Sequence, residues 1–244
     1  MDTSILALIL AAFFISAFLK GITGLGFSTV CLGTLASFVD IKLAIPLVIL
    51  PSLTSNVLVM LDSGRMREAL RRFWPMYLCM MVGMAGGLWM LGATKSETAR
   101  TVLGLVMCSY GAWALLNPGA SIPERWRFAL SLPVGLGTGF VNGLTGSQVM
   151  PALPYLMLID IEKNLLIAAI NISFTIGSLM MLTGLISMGL FTILSLWLAA
   201  AGIPLVFLGI WLGGIIRKHT SEAAFRLLVL LLLIGIGLNL VLRG

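Results

Sequence analysis

Two glycine-rich interruptions of otherwise apolar runs constrain this chain more than any other feature of its sequence. Residues 18–27 read FLKGITGLGF, and residues 140–149 read FVNGLTGSQV. Both contain Gly-x-Thr-Gly, and at a shift of 122 residues Lys20 falls on Asn142. In hydrocarbon, a backbone that leaves the helical conformation survives only where it is buried in protein or lines a polar cavity. Two equivalent breaks, one in each half, therefore predict a shared binding site within the membrane.

The composition excludes a soluble domain. Hydrophobic residues make up 59% of the 244 residues and charged residues 10%, whereas about 25% of the residues in a soluble domain are charged. The apolar runs are long and do not alternate, so they predict helices rather than barrel strands. The net charge of +6 is assigned to basic loops at the cytoplasmic face. The expected partner is thus the lipid bilayer and not nucleic acid.

Ten apolar segments follow one another along the chain. They cover residues 4–20, 27–38, 43–61, 73–92, 98–116, 128–142, 148–159, 164–185, 189–215 and 222–242. A helix needs about 20 residues to span the hydrocarbon core. Segments 27–38 and 148–159 are too short and each follows a break, so each predicts a half-helix. We expect an all-α polytopic membrane protein in which each half has four long transmembrane helices and one short half-helix.

The two halves are expected to be inverted repeats. The first repeat covers residues 1–117, a cytoplasmic hinge loop covers 118–127, and the second repeat covers 128–244. Five segments in each repeat are an odd number of crossings, so the second repeat is upside down relative to the first. Four arginines between residues 62 and 72 place that connection in the cytoplasm, and inversion brings the basic connection near Arg217 to the same side.

The breaks predict an anion site. Helix N-termini with free N–H groups attract anions, and an intramembrane lysine is costly without a partner or a ligand. Neither break contains an acidic residue, which argues against a cation. The side chains that offer a charge or a hydrogen bond are Lys20, Thr23, Ser28, Thr29, Asn142, Thr145, Ser147 and Gln148.

A second polar group occurs on the long segments that follow the breaks. It comprises Thr54, Ser55 and Asn56 in the first half and Asn171, Ser173, Thr175 and Ser178 in the second. Such side chains either line the same cavity or only connect neighbouring helices. Two further alternatives stay open as well: the glycines can serve close helix packing, and Lys20 can extend to an interface.

The two breaks and the apolar, glycine-rich halves resemble the TauE/SafE sulfite exporter family, and the resemblance covers essentially the whole chain. It implies a multi-pass carrier of the bacterial inner membrane that exports sulfite, sulfoacetate or a related sulfonate. Coupling to protons is implied by the resemblance alone, because no buried carboxylate is evident to carry them. The resemblance places the substrate site at Lys20, Gly21, Thr23, Gly24 and Gly26 with Asn142, Gly143, Thr145, Gly146, Ser147 and Gln148. Asn56 and Asn171 from the second polar group complete the candidate site.

The leading hypothesis is a secondary transporter that binds a small sulfur-containing anion. A passive channel for small anions or neutral solutes is the first alternative, and a membrane-embedded enzyme is the second. An enzyme would need a cluster of Asp, Glu or His at one membrane face, and the sequence offers none. No catalytic residues, metal ligands or cofactor are therefore predicted, and no Walker-type phosphate loop is present.

Overall fold

The computed structural model describes residues 3–23, 26–116, 121–159, 161–217 and 222–243. Within these ranges the chain forms ten helices: α1 Thr3–Thr23, α2 Phe27–Ala36, α3 Ile41–Asp62, α4 Met66–Ala93, α5 Ser96–Leu116, α6 Glu124–Thr145, α7 Ala152–Leu158, α8 Lys163–Ser187, α9 Ile193–Arg217 and α10 Glu222–Arg243. Seven of the described helices are long and apolar enough to cross a membrane. The chain is an all-helical, multi-pass membrane protein, as its composition predicted.

Several helices extend beyond the apolar segments that predicted them. α4 begins at Met66, so the arginines expected in a loop lie mostly on its first turns. α6 begins at Glu124, with Pro123 before it and the acidic Glu124 in its first turn, and these residues are typical of a helix start. Apolarity follows the thickness of the hydrocarbon, whereas helices continue into the headgroup region. Segment lengths therefore underestimated these two helices.

Helices α4 and α6 form the most extensive contact in the molecule. Gly135 and Gly143 of α6 lie against Met76 and Met84 of α4, in the same order, so the two helices run parallel. The glycines let the backbones approach closely, which is a common basis for helix association in membranes.

Helices α1 and α9 pack together in the same manner. Gly202 lies against Phe13 and Gly213 lies against Phe18, so this pair is also parallel and also depends on glycine. In contrast, Gly104 of α5 lies against Gly237 of α10 while Gly111 lies against Ile234, and these helices are antiparallel. The pair α3 and α8 fills the centre between the two parallel pairs.

One end of the molecule collects the starts of α4, α6 and α8, and we call it the basic end. Arg65 precedes α4 and forms an ion pair with Glu162, the residue before α8. Ile122, just before α6, donates its N–H to the carbonyl of Leu158 at the end of α7. Lys163 is exposed at the same end. Basic residues favour the cytoplasmic side of a membrane.

The opposite half of the interior is closed by apolar side chains. Leu32, Ile45, Leu144, Met181 and Leu185 are all at most 2% exposed and belong to one hydrophobic cluster. We call these five residues the apolar barrier. Since α3 begins and α8 ends away from the basic end, the barrier lies between the centre and that far side.

Candidate functional site

A cavity of about 740 Å³ enters the protein from the basic end. Four helices contribute to its wall, namely α1, α3, α8 and α9. It is lined by Lys20, Gly21, Val59, Asp62, Ser63, Lys163, Asn164, Ile167, Ile210, Trp211, Gly214 and Ile215. The charged and polar residues at helix ends form its mouth, and Lys20 and Gly21 form its inner end.

Lys20 is buried in the last turn of α1, with 1% of its surface exposed. Its Nζ donates to Ser55 Oγ at 3.1 Å and to Asn56 Oδ1. Both partners are neutral, and among the described residues Lys20 forms no salt bridge. Asn56 lies six residues before Asp62, the last residue of α3, so it is about 9 Å deep at 1.5 Å per residue. Lys20 thus places a buried amine within the protein, and no acidic side chain pairs with it among the described residues.

Hydrogen bonds continue from Lys20 to the second break. Asn56 Nδ2 donates to Gln148 Oε1 at 3.3 Å, and Ser52 Oγ donates to the same oxygen at 3.5 Å. Gln148 Nε2 in turn donates to Ser178 Oγ at 2.8 Å and to the carbonyl of Phe174 at 3.2 Å. We call this connected set the polar chain; it comprises Lys20, Ser52, Ser55, Asn56, Gln148 and Ser178. It joins α1 and α3 to α8 through the second break.

The two breaks also contact each other directly. Ser28 Oγ donates to the carbonyl of Gly146 at 3.0 Å, and Thr29 Oγ1 lies 3.3 Å from Ser147 Oγ. Thr145 Oγ1 accepts from the Ser147 N–H at 3.1 Å, which stabilises the turn after α6. Polar groups at the two breaks therefore form hydrogen bonds with one another inside the protein.

The breaks are shorter than the glycine pattern predicted. α1 continues through Gly21 to Thr23, and α6 continues through Gly143 to Thr145. The second short helix also differs from its predicted range of 148–159, because α7 covers only Ala152–Leu158. Pro151 disfavours the helical conformation in the residue before it, which explains the late start of α7. The second break therefore presents no helix N-terminus at Gln148.

Other candidate residues lie in different surroundings. Gly21 contacts the backbone of α9 at Ile210, and Gly143 contacts the backbone of α4 at Met84, so both lie where helices pack closely. Gly24 lies outside the described residues. Gly26 and Gln148 line a narrow gap between the two breaks.

Two buried asparagines stand apart from the polar chain. Asn142 Nδ2 lies against Gly177 of α8, and Asn171 Nδ2 donates to the carbonyl of Ile167 at 2.9 Å. Within the described part of the chain, neither Asn142 Oδ1 nor Asn171 Oδ1 has a hydrogen-bond partner. Of the thirteen candidate residues, the structure joins Lys20, Asn56 and Gln148 in one network.

Ser52 is a member of the network that sequence reasoning missed. It lies one helical turn before Asn56, on the same face of α3, and accepts from Asn56 Nδ2 at 3.4 Å. Residues four apart on a helix share a face. The spacing of Ser52 and Asn56 was therefore the available signal, because both side chains are buried on one face of α3.

Gly26 and Gly146, the glycines with positive φ within the two breaks, should respond differently to alanine. Gly26 has φ 88° with open space around an added Cβ, whereas Gly146 has φ 74° and an added Cβ would lie 2.8 Å from Leu32 Cδ1. We expect Gly26→Ala to cost about 1 kcal/mol from backbone strain alone, and Gly146→Ala to cost more because Leu32 must also move. Thermal unfolding of both purified variants measures this, and equal losses would contradict the steric difference.

Comparison with known proteins gives one match. The family model described as "Sulfite exporter TauE/SafE" matches residues 8–240. This range includes both breaks, the polar chain and the residues that line the cavity. No curated protein and no solved structure matches the chain.

Proposed function

This chain belongs to the sulfite exporter TauE/SafE family, and from that premise we propose that it is a secondary transporter of a small sulfur-containing anion. The proposed substrates are sulfite, sulfoacetate or a related sulfonate. The proposed direction is export across the bacterial inner membrane. Family membership confirms the resemblance seen in the glycine-rich segments and makes the chain a member of a membrane transporter family.

The observation that carries this proposal is the environment of Lys20. A buried charge is costly unless a partner compensates it, and the partners of Lys20 are the neutral side chains of Ser55 and Asn56. An oxyanion would supply the missing charge. Hydrogen bonds between an ammonium group and an anionic oxygen are about twice as strong as those between neutral groups. The cavity from the basic end supplies a route to this position.

The packing of the helices supports alternating access between two inverted repeats. The parallel pair α1 and α9 has a counterpart in α6 and α4, and the antiparallel pair α5 and α10 lies across the proposed symmetry axis. Residues 1–117 and 128–244 are the proposed repeats, with the hinge at 118–127. In this arrangement the cavity opens at the basic end, while the apolar barrier closes the other side. Movement of one repeat against the other would close the cavity at the basic end and open the side that the apolar barrier now closes.

A counterflow experiment tests both the substrate and the mechanism. The purified protein is reconstituted in liposomes preloaded with unlabelled sulfite, and uptake of external ³⁵S-sulfite is followed. After a carrier releases labelled sulfite inside, it binds unlabelled sulfite there and its site returns to the outer face. We therefore expect preloading to accelerate labelled uptake and to produce a transient overshoot. Sulfoacetate and sulfate in the same assay define the range of anions.

Protein-free liposomes are the control for leakage. Uptake that follows the gradient without acceleration by preloading would support the channel alternative. No protein-dependent flux of sulfite or sulfoacetate would overturn the proposed substrate class.

A further inference from the structure

We infer that the side-chain amide of Gln148 occupies the place of the substrate anion in this conformation, so that the anion must displace it in order to bind. This inference rests on the proposed function and specifies how its site is closed. Gln148 is 2% exposed and lies at the centre of the polar chain. It connects the second break to both central helices, α3 and α8.

The hydrogen bonds of Gln148 Oε1 are those that an anionic oxygen would accept. Asn56 Nδ2 and Ser52 Oγ both point to this oxygen, at 3.3 Å and 3.5 Å. The other end of the Asn56 amide accepts from the Lys20 ammonium. An acceptor oxygen at this point thus accepts hydrogen bonds from two donors. Asn56 alone separates it from the Lys20 ammonium group. The amide oxygen of Gln148 satisfies the donors but leaves the charge uncompensated.

The space around Gln148 leads to the same conclusion. A gap between the breaks is lined by residues of both breaks, among them Gly26, Ser28 and Gln148, together with Asn56 of α3. It has no room for a molecule the size of water. An oxyanion therefore cannot enter beside Gln148 while the amide stays in place. Withdrawal of the amide would join this gap to the donors of Asn56 and Ser52.

The first half shows what the position looks like without a side chain. Gly26 falls on Gln148 at the shift of 122 residues, and among the described residues beyond its chain neighbours none has an atom within 4 Å of a Cβ built on Gly26. The first break therefore has no side chain at the position that Gln148 occupies in the second break. Gln148 is held in place by two bonds from Nε2 to α8, at Ser178 and Phe174. Its displacement by an anion would break the hydrogen-bonded link that Gln148 forms between α3 and α8, which would couple binding to helix movement.

Equilibrium binding of ³⁵S-sulfite to the purified full-length protein tests the inference. The direction in which Gln148→Ala changes the Kd decides it. Gln148→Ala removes the competing oxygen, and we expect the Kd for sulfite to fall about tenfold. Ser178→Ala loosens the amide, and we expect a smaller fall in the same direction. Gln148→Glu introduces a tethered anion, and we expect sulfite binding to be lost. Thr183→Ala, an exposed change on α8, is the matched control and should leave the Kd unchanged.

The opposite sign would overturn the inference: if Gln148 is an ordinary ligand of the anion, Gln148→Ala raises the Kd. If Gln148→Ala does not fold, Gln148→Met retains the volume without the acceptor oxygen, and the Ser178→Ala result stands independently. Failure of the proposed function is distinct, since the unaltered protein would then not bind sulfite at all.

Thiol labelling in the absence of substrate tests the role of Gln148 independently of the proposed function. In a protein with Cys31, Cys79 and Cys108 replaced by serine, Ser28→Cys places a thiol at the gap. We expect methyl methanethiosulfonate to label this thiol slowly when Gln148 is present and at least tenfold faster with Gln148→Ala. Equal labelling rates would contradict the role of Gln148 in closing the gap, whatever the substrate.

Discussion

Replacing Lys20 by glutamine is expected to reduce sulfite transport about 100-fold while the protein stays folded. Glutamine keeps an N–H donor for Asn56 Oδ1 but removes the positive charge. Two unit charges 4 Å apart interact by about 4 kcal/mol at an effective dielectric constant of about 20, and part of that attraction is offset by desolvation of the anion. A 100-fold loss corresponds to about 2.7 kcal/mol. Initial rates of ³⁵S-sulfite uptake into proteoliposomes provide the measurement.

The matched control is Lys42→Gln. Lys42 donates from Nζ to the carbonyl of Thr94 at 2.7 Å, at the end of α3 remote from the basic end. We expect this variant to transport at nearly the normal rate. If both variants lose transport equally, the effect is not specific to the site, and undiminished transport by Lys20→Gln would remove Lys20 from it.

Stability separates a binding role for Lys20 from a structural one. A buried charge without a counter-charge contributes little to folding, and replacing buried ionic groups by neutral ones is often neutral or stabilising. We therefore expect the melting temperature of Lys20→Gln in detergent to equal or exceed that of the original protein. A strongly lowered melting temperature would show that Lys20 is retained for packing.

The sequence predicted the helical membrane fold and the position of the breaks because both follow from local rules. An apolar run of about 20 residues is long enough to span the hydrocarbon, and glycine clusters within such runs mark departures from helix or sites of close approach. Lys20 was found for the same reason, since a basic residue in a break is conspicuous. These features need no knowledge of which helices are neighbours.

The remainder of the site depends on tertiary contacts. Ser52 and Gln148 lie 96 residues apart, and no local pattern predicts that their side chains meet. Gly21 and Gly143 belong to the same two glycine-rich breaks as the polar candidate residues. They nevertheless lie against the backbones of α9 and α4. Sequence reasoning left packing and binding open as explanations for these glycines, because both uses require a small residue.

Gly139→Ala is expected to destabilise the protein by about 2–3 kcal/mol, in the range for overpacking of a close contact. A Cβ at Gly139 would overlap the backbone carbonyl of Met80 on α4, and a backbone atom cannot move without separating the helices. Thermal unfolding followed by tryptophan fluorescence in detergent measures the change. The α4–α6 pair is the most extensive contact in the molecule, so the loss should be global rather than local.

Gly86→Ala is the matched control on the same helix pair. Its Cβ would lie 3.7 Å from Phe140 Cδ2, an ordinary contact, and alanine favours a helix over glycine by up to about 1 kcal/mol. We therefore expect Gly86→Ala to raise the melting temperature slightly, opposite in sign to Gly139→Ala. Gains of similar size at both positions would mean that helix propensity and not backbone contact decides the effect of alanine at this interface. The parallel packing of α4 on α6 would then lose its physical basis.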